Sequence, residues 1–274
     1  MNQWRPTVFQ DYRLLAPHQV ELIEKQSLRT LVQTMQDNSK ESKEIFDNTA
    51  ADSDTEVIVI AEDLVQYALT VAECFPIRKR FAGFIDYKQV RWLSTPFGIF
   101  PQVLLVDAKA STENNRDTLQ QSQLCMDAEF KSNKQIVKLT AAVPPHHELD
   151  MQGGAKLPAI TTSTFIHFYY EKLSSHSPPY RNLRSIFLLA LPHQSLKPRY
   201  NPDPDTTFYG QGKHSPARHE LPRIRVYFQR LREMCSWRLQ ELPYDGGRNG
   251  FAKPVWRDVG PGGETTTPFE FRGP

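Results

Sequence analysis

Two aspartates and a lysine accompany neighbouring apolar runs of the sequence. Asp107 and Lys109 follow the run at 103–106 (VLLV), and Asp86 lies within the apolar run at 81–92. Alternate residues of a strand point to the same face, so a strand here places Asp107 and Lys109 together. An acid and a lysine at the end of a buried strand, beside a second acid, can hold a divalent cation against a phosphodiester.

The residues between the two runs predict how the carboxylates meet. Residues 94–98 (STPFG) form a turn cluster containing Pro and Gly. A hairpin centred between Pro96 and Phe97 places Asp86 directly opposite Asp107, with Cβ atoms about 5 Å apart. A register shifted by one residue would turn the two side chains to opposite faces.

Two facing carboxylates repel each other and lose hydration, so they require a compensating positive charge. Lys109 alone could supply it as a structural ion pair. Mg²⁺ could supply it better, with Asp86 and Asp107 as metal ligands, and Lys109 would then orient water or neutralise developing charge. Glu62 could be a further ligand, although an acid in the first turn of a helix is also explained by the helix dipole.

Composition bounds the class of protein. The 274 residues are 39% hydrophobic and 23% charged, as in ordinary globular proteins. No internal repeat or low-complexity linker divides them, so we expect one domain, 1–274. Three widely spaced Cys favour neither a disulfide framework nor a CxxC zinc site, and they predict a reducing cytoplasmic location. The sequence shows neither a signal peptide nor a membrane-spanning apolar run, so we expect no membrane partner.

Charge is distributed unevenly although its net value is only +2. Residues 11–75 hold 13 acids against 5 Lys and Arg, whereas residues 197–230 hold 7 Lys and Arg against 3 acids. A basic face of this kind suits an anion. Within it, Arg223 and Arg225 would share a face in a strand but diverge in a helix. We predict a strand that passes into a helix near Phe228, within a recognition segment at about 197–231.

The periodicity of apolar residues predicts an α/β fold with a mixed central sheet flanked by helices. Helices are expected at 18–46, 61–75 and 114–130, and strands at 81–92, 103–109, 162–170 and 185–191. Residues 131–160 and 243–274 are expected to be irregular or coil. Two other polar clusters are weaker candidates for a cation site, namely His146-His147-Glu148 and the turn containing Asp203 and Asp205.

Longer stretches of the chain carry a resemblance to a known family. Asp86 followed by Asp107-Ala-Lys109 resembles the PD-(D/E)xK nuclease motif, with Ile85 where the motif usually has Pro. Residues 12–256 resemble SfiI-like type II restriction endonucleases. The matching blocks are RFAGFIDYK (80–88), PQVLLVDAKASTENNRD (101–117), RYNPDPD (199–205), GKHSPAR (212–218) and RIRVYF (223–228).

The resemblance implies a restriction-endonuclease core that cuts double-stranded DNA with Mg²⁺ at GGCCNNNNNGGCC. It implies a homotetramer that engages two DNA sites together. Asp86, Asp107 and Lys109 match the catalytic positions of the family. Lys213, Arg223 and Arg225 would read the major groove, and Arg116 would also contact DNA. Two alternatives stay open, a non-catalytic DNA-binding protein and a PD-(D/E)xK nuclease with a repair or junction target.

Overall fold

The computed structural model describes residues 10–48, 54–71, 85–112, 118–120, 123–151, 153–173, 180–212, 223–244, 255–260 and 263–268. Its helices and strands form the predicted α/β fold. The helices are α1 (Pro17–Asp37), α2 (Ser39–Asn48), α3 (Asp54–Val71), α4 (Lys197–Tyr200) and α5 (Phe228–Met234). None of the described helices is long and apolar enough to cross a membrane.

The helix predicted at 18–46 is two helices, which is a correction. Asn38 leaves helical geometry (φ −98°, ψ 15°), and its side chain donates to the Thr34 carbonyl at 2.8 Å. An asparagine side chain that bonds to nearby backbone competes with the helix ladder and ends it. The helix predicted at 61–75 begins earlier, at Asp54. Its expected end at 72–75 lies outside the described residues.

Thirteen strands are described. They are β1 (Tyr87–Thr95), β2 (Gly98–Ser111), β3 (Thr118–Gln120), β4 (Ala128–Ser132), β5 (Gln135–Leu139), β6 (His146–Asp150), β7 (Lys156–Leu173), β8 (Tyr180–Leu191), β9 (Tyr209–Gln211), β10 (Arg223–Val226), β11 (Leu239–Pro243), β12 (Val255–Gly260) and β13 (Gly263–Pro268).

The central sheet has the order β1-β2-β7-β8-β11, and β6 also pairs with β7. Strands β2 and β7 run parallel, whereas the other neighbours are antiparallel. Residues 100–108 of β2 are all buried. A continuous buried run of this kind is typical of a strand covered on both faces.

Helices cover the two faces of the central sheet. On one face Phe46 of α2 stacks on Phe168 of β7, with ring centroids 5.6 Å apart. Phe187 of β8 packs on Phe228 of α5 at 5.8 Å. Because successive side chains of a strand alternate, and Phe168 is paired in register with Ile186, α5 lies on the face opposite α2.

Several segments expected to be helix or coil are strands. The predicted helix at 114–130 is wrong, because the described parts hold β3 and the start of β4. The region 131–160 contains β5, β6 and the start of β7 rather than irregular chain, and 243–274 contains the β12–β13 hairpin. Pairing with β10, which is distant in sequence, makes a strand of β3 and overrides local propensity there. The other unexpected strands form hairpins with neighbouring segments, β4 with β5, β6 with β7 and β12 with β13.

A second, three-stranded sheet has the order β3-β10-β9. We call it the recognition sheet, because β10 carries Arg223 and Arg225. The predicted passage from strand to helix is confirmed, since β10 ends at Val226 and α5 starts at Phe228.

Candidate active site

The hairpin of β1 and β2 has the predicted register. Thr95 pairs with Gly98 across the turn, and Tyr87 pairs with Val106, so the next opposed pair along the ladder is Asp86 and Asp107. Gly98 adopts a φ of +139°, which L side chains rarely reach, and a Cβ there would meet the Gln10 side chain at 2.8 Å. This glycine permits the tight turn that sets the register of both carboxylates.

Asp86 is attached directly to the strand that carries the other two residues. Its Oδ2 accepts a hydrogen bond of 2.7 Å from the backbone N–H of Ala108, which lies between Asp107 and Lys109. Asp86 as a residue is exposed, but partial desolvation of its carboxylate raises its pKa. The Ala108 hydrogen bond and the charge of Lys109 oppose that rise.

Asp107 lies at the end of the buried part of β2 and is only 4% exposed. Its Oδ1 accepts a hydrogen bond of 2.7 Å from Nε2 of Gln123, which is also buried. The Nζ of Lys109 is 3.6 Å from Oδ2 of Asp107. The pKa of Asp107 is raised to about 7, chiefly by burial; the charge of Lys109 opposes the rise, and the charge of Asp86 adds to it.

Glu62 is a third acid near the pair. It lies in the middle of α3, which packs against β2, so the helix-dipole explanation for this residue is wrong. Desolvation raises the pKa of Glu62, and the charge of Asp86 is the next cause. Glu62 therefore contributes to the negative field of the site.

The carboxylates fit a small hard cation. Oδ2 of Asp107 is buried and accepts no hydrogen bond within the part of the chain that the structure describes. Asp86 and Asp107 are the next opposed pair beyond the Tyr87–Val106 pair of the hairpin, and both carboxylates have raised pKa values. Mg²⁺ is commonly bound by one or two carboxylates, with water and substrate phosphate completing six oxygen ligands. No three His, Cys, Asp or Glu side chains gather into a ready-made metal site among the described residues.

The weaker cation candidates have other structural roles. His146 Nε2 lies 3.6 Å from the Glu148 carboxylate, and its Nδ1 lies 3.1 Å from the Tyr12 hydroxyl. Asp203 accepts hydrogen bonds from the backbone of Asp205 and Thr206, which is turn chemistry.

The predicted DNA-reading residues are only partly described. Arg223 and Arg225 lie two apart on β10, with Gln120 and Thr118 of β3 as their register partners. The backbone of Arg223 is described but its side chain is not, and Arg225 is half-buried. Lys213 and Arg116 lie outside the described residues.

A chain of register partners connects the two sheets. Lys109 on β2 pairs with His167 on β7, which pairs with Phe187 on β8. Phe187 packs on Phe228, two residues after the end of β10. With strands about 4.8 Å apart, the backbone of Phe187, on which Phe228 packs, lies roughly 10 Å from the Lys109 backbone. The side chains of Asp107, Lys109 and Phe187 share one face of the central sheet.

Gln123 is a candidate site residue that the sequence did not reveal. It belongs to the segment at 114–130 that was predicted to be a helix. The structure instead places it in a short irregular segment, where its amide reaches Asp107. Gln123 follows three other polar residues at 120–122, so nothing in the local sequence singles it out.

Comparison with known proteins decides the family. A family model described as "Type II restriction enzyme SfiI" matches residues 20–242. The chain belongs to this family. The type II restriction enzyme SfiI of Streptomyces fimbriatus is 60% identical to it over 265 residues, covering 96% of this chain and 98% of the relative.

Solved structures agree with that membership of the SfiI family. A crystal structure of tetrameric SfiI bound to cognate DNA has a TM-score of 0.87 and 58% identity, covering 96% of this chain and 99% of that one. The restriction endonuclease BglI bound to its recognition sequence has a TM-score of 0.64 at 16% identity, covering 82% and 90%. At that identity the likeness to BglI shows a shared fold only.

Proposed function

We propose that this SfiI-family restriction enzyme hydrolyses double-stranded DNA with Mg²⁺, and that Asp86, Asp107 and Lys109 form its catalytic site. The observation that carries the proposal is the buried, unbonded Oδ2 of Asp107 beside Asp86, with Lys109 Nζ 3.6 Å away. Two carboxylates that face each other across a hairpin, with one cationic side chain beside them, are the groups that phosphodiester hydrolysis needs.

Asp86 and Asp107 would hold the metal ion. When bound, Mg²⁺ supplies Lewis acidity that polarises the scissile phosphate and lowers the pKa of an attacking water. Asp86 keeps its position through the Ala108 amide, and Asp107 keeps its position through Gln123. Lys109 donates to the water or to a phosphate oxygen and neutralises the charge that develops during in-line attack.

The protonation of Asp107 is part of this arrangement. With its pKa raised to about 7, Asp107 carries a proton in a substantial fraction of molecules at neutral pH when no cation is bound. The side chain must lose that proton before its Oδ2 can act as an anionic ligand. Cation binding and proton release are therefore coupled at this residue.

We propose GGCCNNNNNGGCC as the target. Guanine O6 and N7 are the commonest partners of Arg and Lys in the major groove, which suits Arg223, Arg225 and Lys213 as base-reading residues. Arg116 would also contact the DNA. A palindromic duplex requires a two-fold symmetric protein, and the solved relative is tetrameric. We therefore propose a homotetramer that engages two sites.

The remaining expectations belong to the same proposal. Residues 1–274 form one nuclease domain into which the recognition segment at about 197–231 is integrated. The enzyme acts in the cytoplasm, where it meets DNA, and has no membrane partner.

One assay tests the activity and its target. Plasmids carrying one or two copies of GGCCNNNNNGGCC are incubated with the protein and MgCl₂, with and without a chelator, and the cut ends are mapped. We expect discrete cuts within the site, faster on the two-site plasmid, and none with chelator. Asp107→Asn should bind the site but leave it uncut. Binding without cleavage by the unaltered protein would favour a non-catalytic DNA-binding protein, and structure-selective nicking would favour a repair nuclease.

A further inference from the structure

We propose that Gln123 is a positioning residue that makes the alignment of Asp107 depend on the recognition sheet. The proposal rests on the proposed catalytic role of Asp107. In this role the Gln123 side chain couples DNA recognition to the geometry of the cleavage site.

The first part of the argument is the contact itself. Gln123 is 4% exposed, and its Nε2 donates a hydrogen bond of 2.7 Å to Oδ1 of Asp107. A carboxylate whose one oxygen is fixed by a buried donor presents the other oxygen in a defined direction. Here the other oxygen is Oδ2, which lies near Lys109 and accepts no hydrogen bond from the described residues. Partners of metal-binding side chains commonly act in this way.

The second part is the position of Gln123 in the chain. Gln120, three residues earlier, is the register partner of Arg223, and Thr118 is the partner of Arg225. Three residues span at most about 10 Å of chain. The donor to Asp107 is therefore tethered closely to the strand that pairs with the base-reading strand β10.

The third part is that the chain after Gln123 is anchored in the core. The Leu124 carbonyl accepts a hydrogen bond of 2.9 Å from Val143, and Leu124, Cys125 and Met126 are buried. A displacement of β3 cannot pass freely along the chain beyond this anchor, because packed cores resist continuous deformation. Gln123 is the residue that directly precedes this anchor, so the displacement reaches the donor to Asp107. Gln123 thus lies where movement of the recognition sheet would alter the geometry of Asp107.

The test uses Gln123→Met, which keeps the volume of the side chain and removes the donor. Single-turnover cleavage is measured on a cognate duplex and on a duplex with one substituted base pair. Mg²⁺ binding to the complex with a non-hydrolysable duplex is measured by calorimetry. We expect cognate cleavage and Mg²⁺ affinity to fall about 10- to 100-fold, as for other residues that orient metal ligands. Binding of cognate DNA should be nearly unchanged, and the ratio of cognate to substituted cleavage should fall.

Gln102→Met is the matched control. Gln102 is a fully buried glutamine on β2, the strand that carries Asp107. Its amide donates to Ser27 and Thr162 on the face away from Asp107. We expect it to lower the melting temperature while leaving Mg²⁺ affinity and the cleavage ratio unchanged. Gln123→Glu, which replaces the donor by an anion, should lose at least as much cleavage as Gln123→Met.

Three results would separate the possible failures. Wild-type cleavage and Mg²⁺ affinity in either Gln123 variant would overturn the positioning role. An equal loss on both duplexes would overturn the link to recognition. Cleavage by Asp107→Asn, measured in parallel, would instead overturn the catalytic assignment on which the proposal rests.

Discussion

The backbone amide of Ala108 donates a hydrogen bond of 2.7 Å to Oδ2 of Asp86. Ala108 lies between Asp107 and Lys109, so this single bond joins the first carboxylate to the strand end that carries the other two groups. It uses a backbone donor, which no side-chain substitution at Ala108 removes. The two carboxylates therefore stay paired even though their charges repel.

Asp86→Asn should separate the chemistry of the pair from its structure. The asparagine carbonyl can still accept from Ala108, so we expect the fold to be retained. Cleavage should fall at least about a hundredfold, because one metal ligand is lost. The pKa of Asp107 should fall as well, because the Asp86 charge is one of the causes that raise it. Single-turnover kinetics and carboxyl NMR titration measure the two effects, and near-normal cleavage would exclude Asp86 as a ligand.

Lys109→Met should remove the cationic group while keeping most of the side-chain stem. We expect a loss of cleavage of about a hundredfold or more, since a charge aimed at the reacting phosphate is lost. Binding of cognate DNA should change little. Lys138→Met is the control, because Lys138 is an exposed strand residue that pairs with Glu129 at 3.4 Å. If both variants cut equally well, Lys109 is only a structural partner of Asp107.

Glu62→Gln tests whether the third acid acts on the metal ion. The charge of Asp86 affects the pKa of Glu62, which places the two carboxylates within each other's field. We expect the Mg²⁺ concentration for half-maximal cleavage to rise about tenfold, as for other residues around metal ligands. Asp63→Asn is the matched control, since Asp63 is the adjacent, exposed acid of α3. An unchanged Mg²⁺ dependence in Glu62→Gln would limit its role to background charge.

The parts of the site that the sequence predicted are those set by local chain geometry. The Pro96-Phe97 turn fixes the register that brings Asp86 opposite Asp107, and the two-residue period of a strand fixes Lys109 beside Asp107. The change from strand to helix near Phe228 was also predicted, although the spacing of Ile224, Phe228 and Leu231 fits a helix that starts at Pro222 equally well. Each of these features depends on contacts between residues close in the sequence or on a short hairpin.

The parts that the sequence did not predict depend on distant partners. Residues 118–120 form a strand only because β10, more than a hundred residues later, pairs with them. The spacing of Leu119, Gln123 and Met126 fits a helix equally well, so local periodicity favoured the wrong element. The bond from Gln123 to Asp107 follows from that tertiary pairing, and no local pattern could show it.

Arg225→Ala tests the base-reading role of β10. A well-formed Arg–guanine pair contributes about 1–3 kcal/mol of discrimination against a wrong base. We expect a loss of that size between cognate and substituted duplexes in competition binding. Arg13→Ala is the control, since Arg13 is an exposed arginine whose guanidinium pairs with Asp11 at 2.6 Å. Equal weakening on all duplexes would indicate that Arg225 contacts phosphates instead.

The buried side chain of His193 should make the free energy of unfolding depend on pH. His193 is distant in sequence from Asp86 and Asp107. It is 2% exposed, its Nδ1 accepts from the Ser195 backbone at 3.1 Å, and its Nε2 lies 2.8 Å from the Pro145 carbonyl. That pattern requires a neutral ring with the proton on Nε2. The pKa of His193 is lowered to about 4, chiefly by burial; the hydrogen bond to the Pro145 carbonyl opposes the shift, and the charge of His146 adds to it.

The sign of the effect follows from where each state binds the proton. Below pH 6.5 the unfolded chain protonates His193, whereas the folded protein does not until about pH 4, so the free energy of unfolding should fall as pH drops across that window. A shift of this size corresponds to about 3 kcal/mol. The pKa of Asp107 is raised from 3.8 to about 7, so its protonation acts in the opposite direction over the whole window. The comparison must therefore be between His193→Gln and the unaltered protein. Urea denaturation at pH 4.5 to 7.5 should show that the difference in free energy of unfolding between the two proteins changes with pH. Only the unaltered protein takes up a proton at His193 when it unfolds. A constant difference across that range would mean that His193 is protonated in the folded state, in conflict with the two hydrogen bonds that require its neutral form.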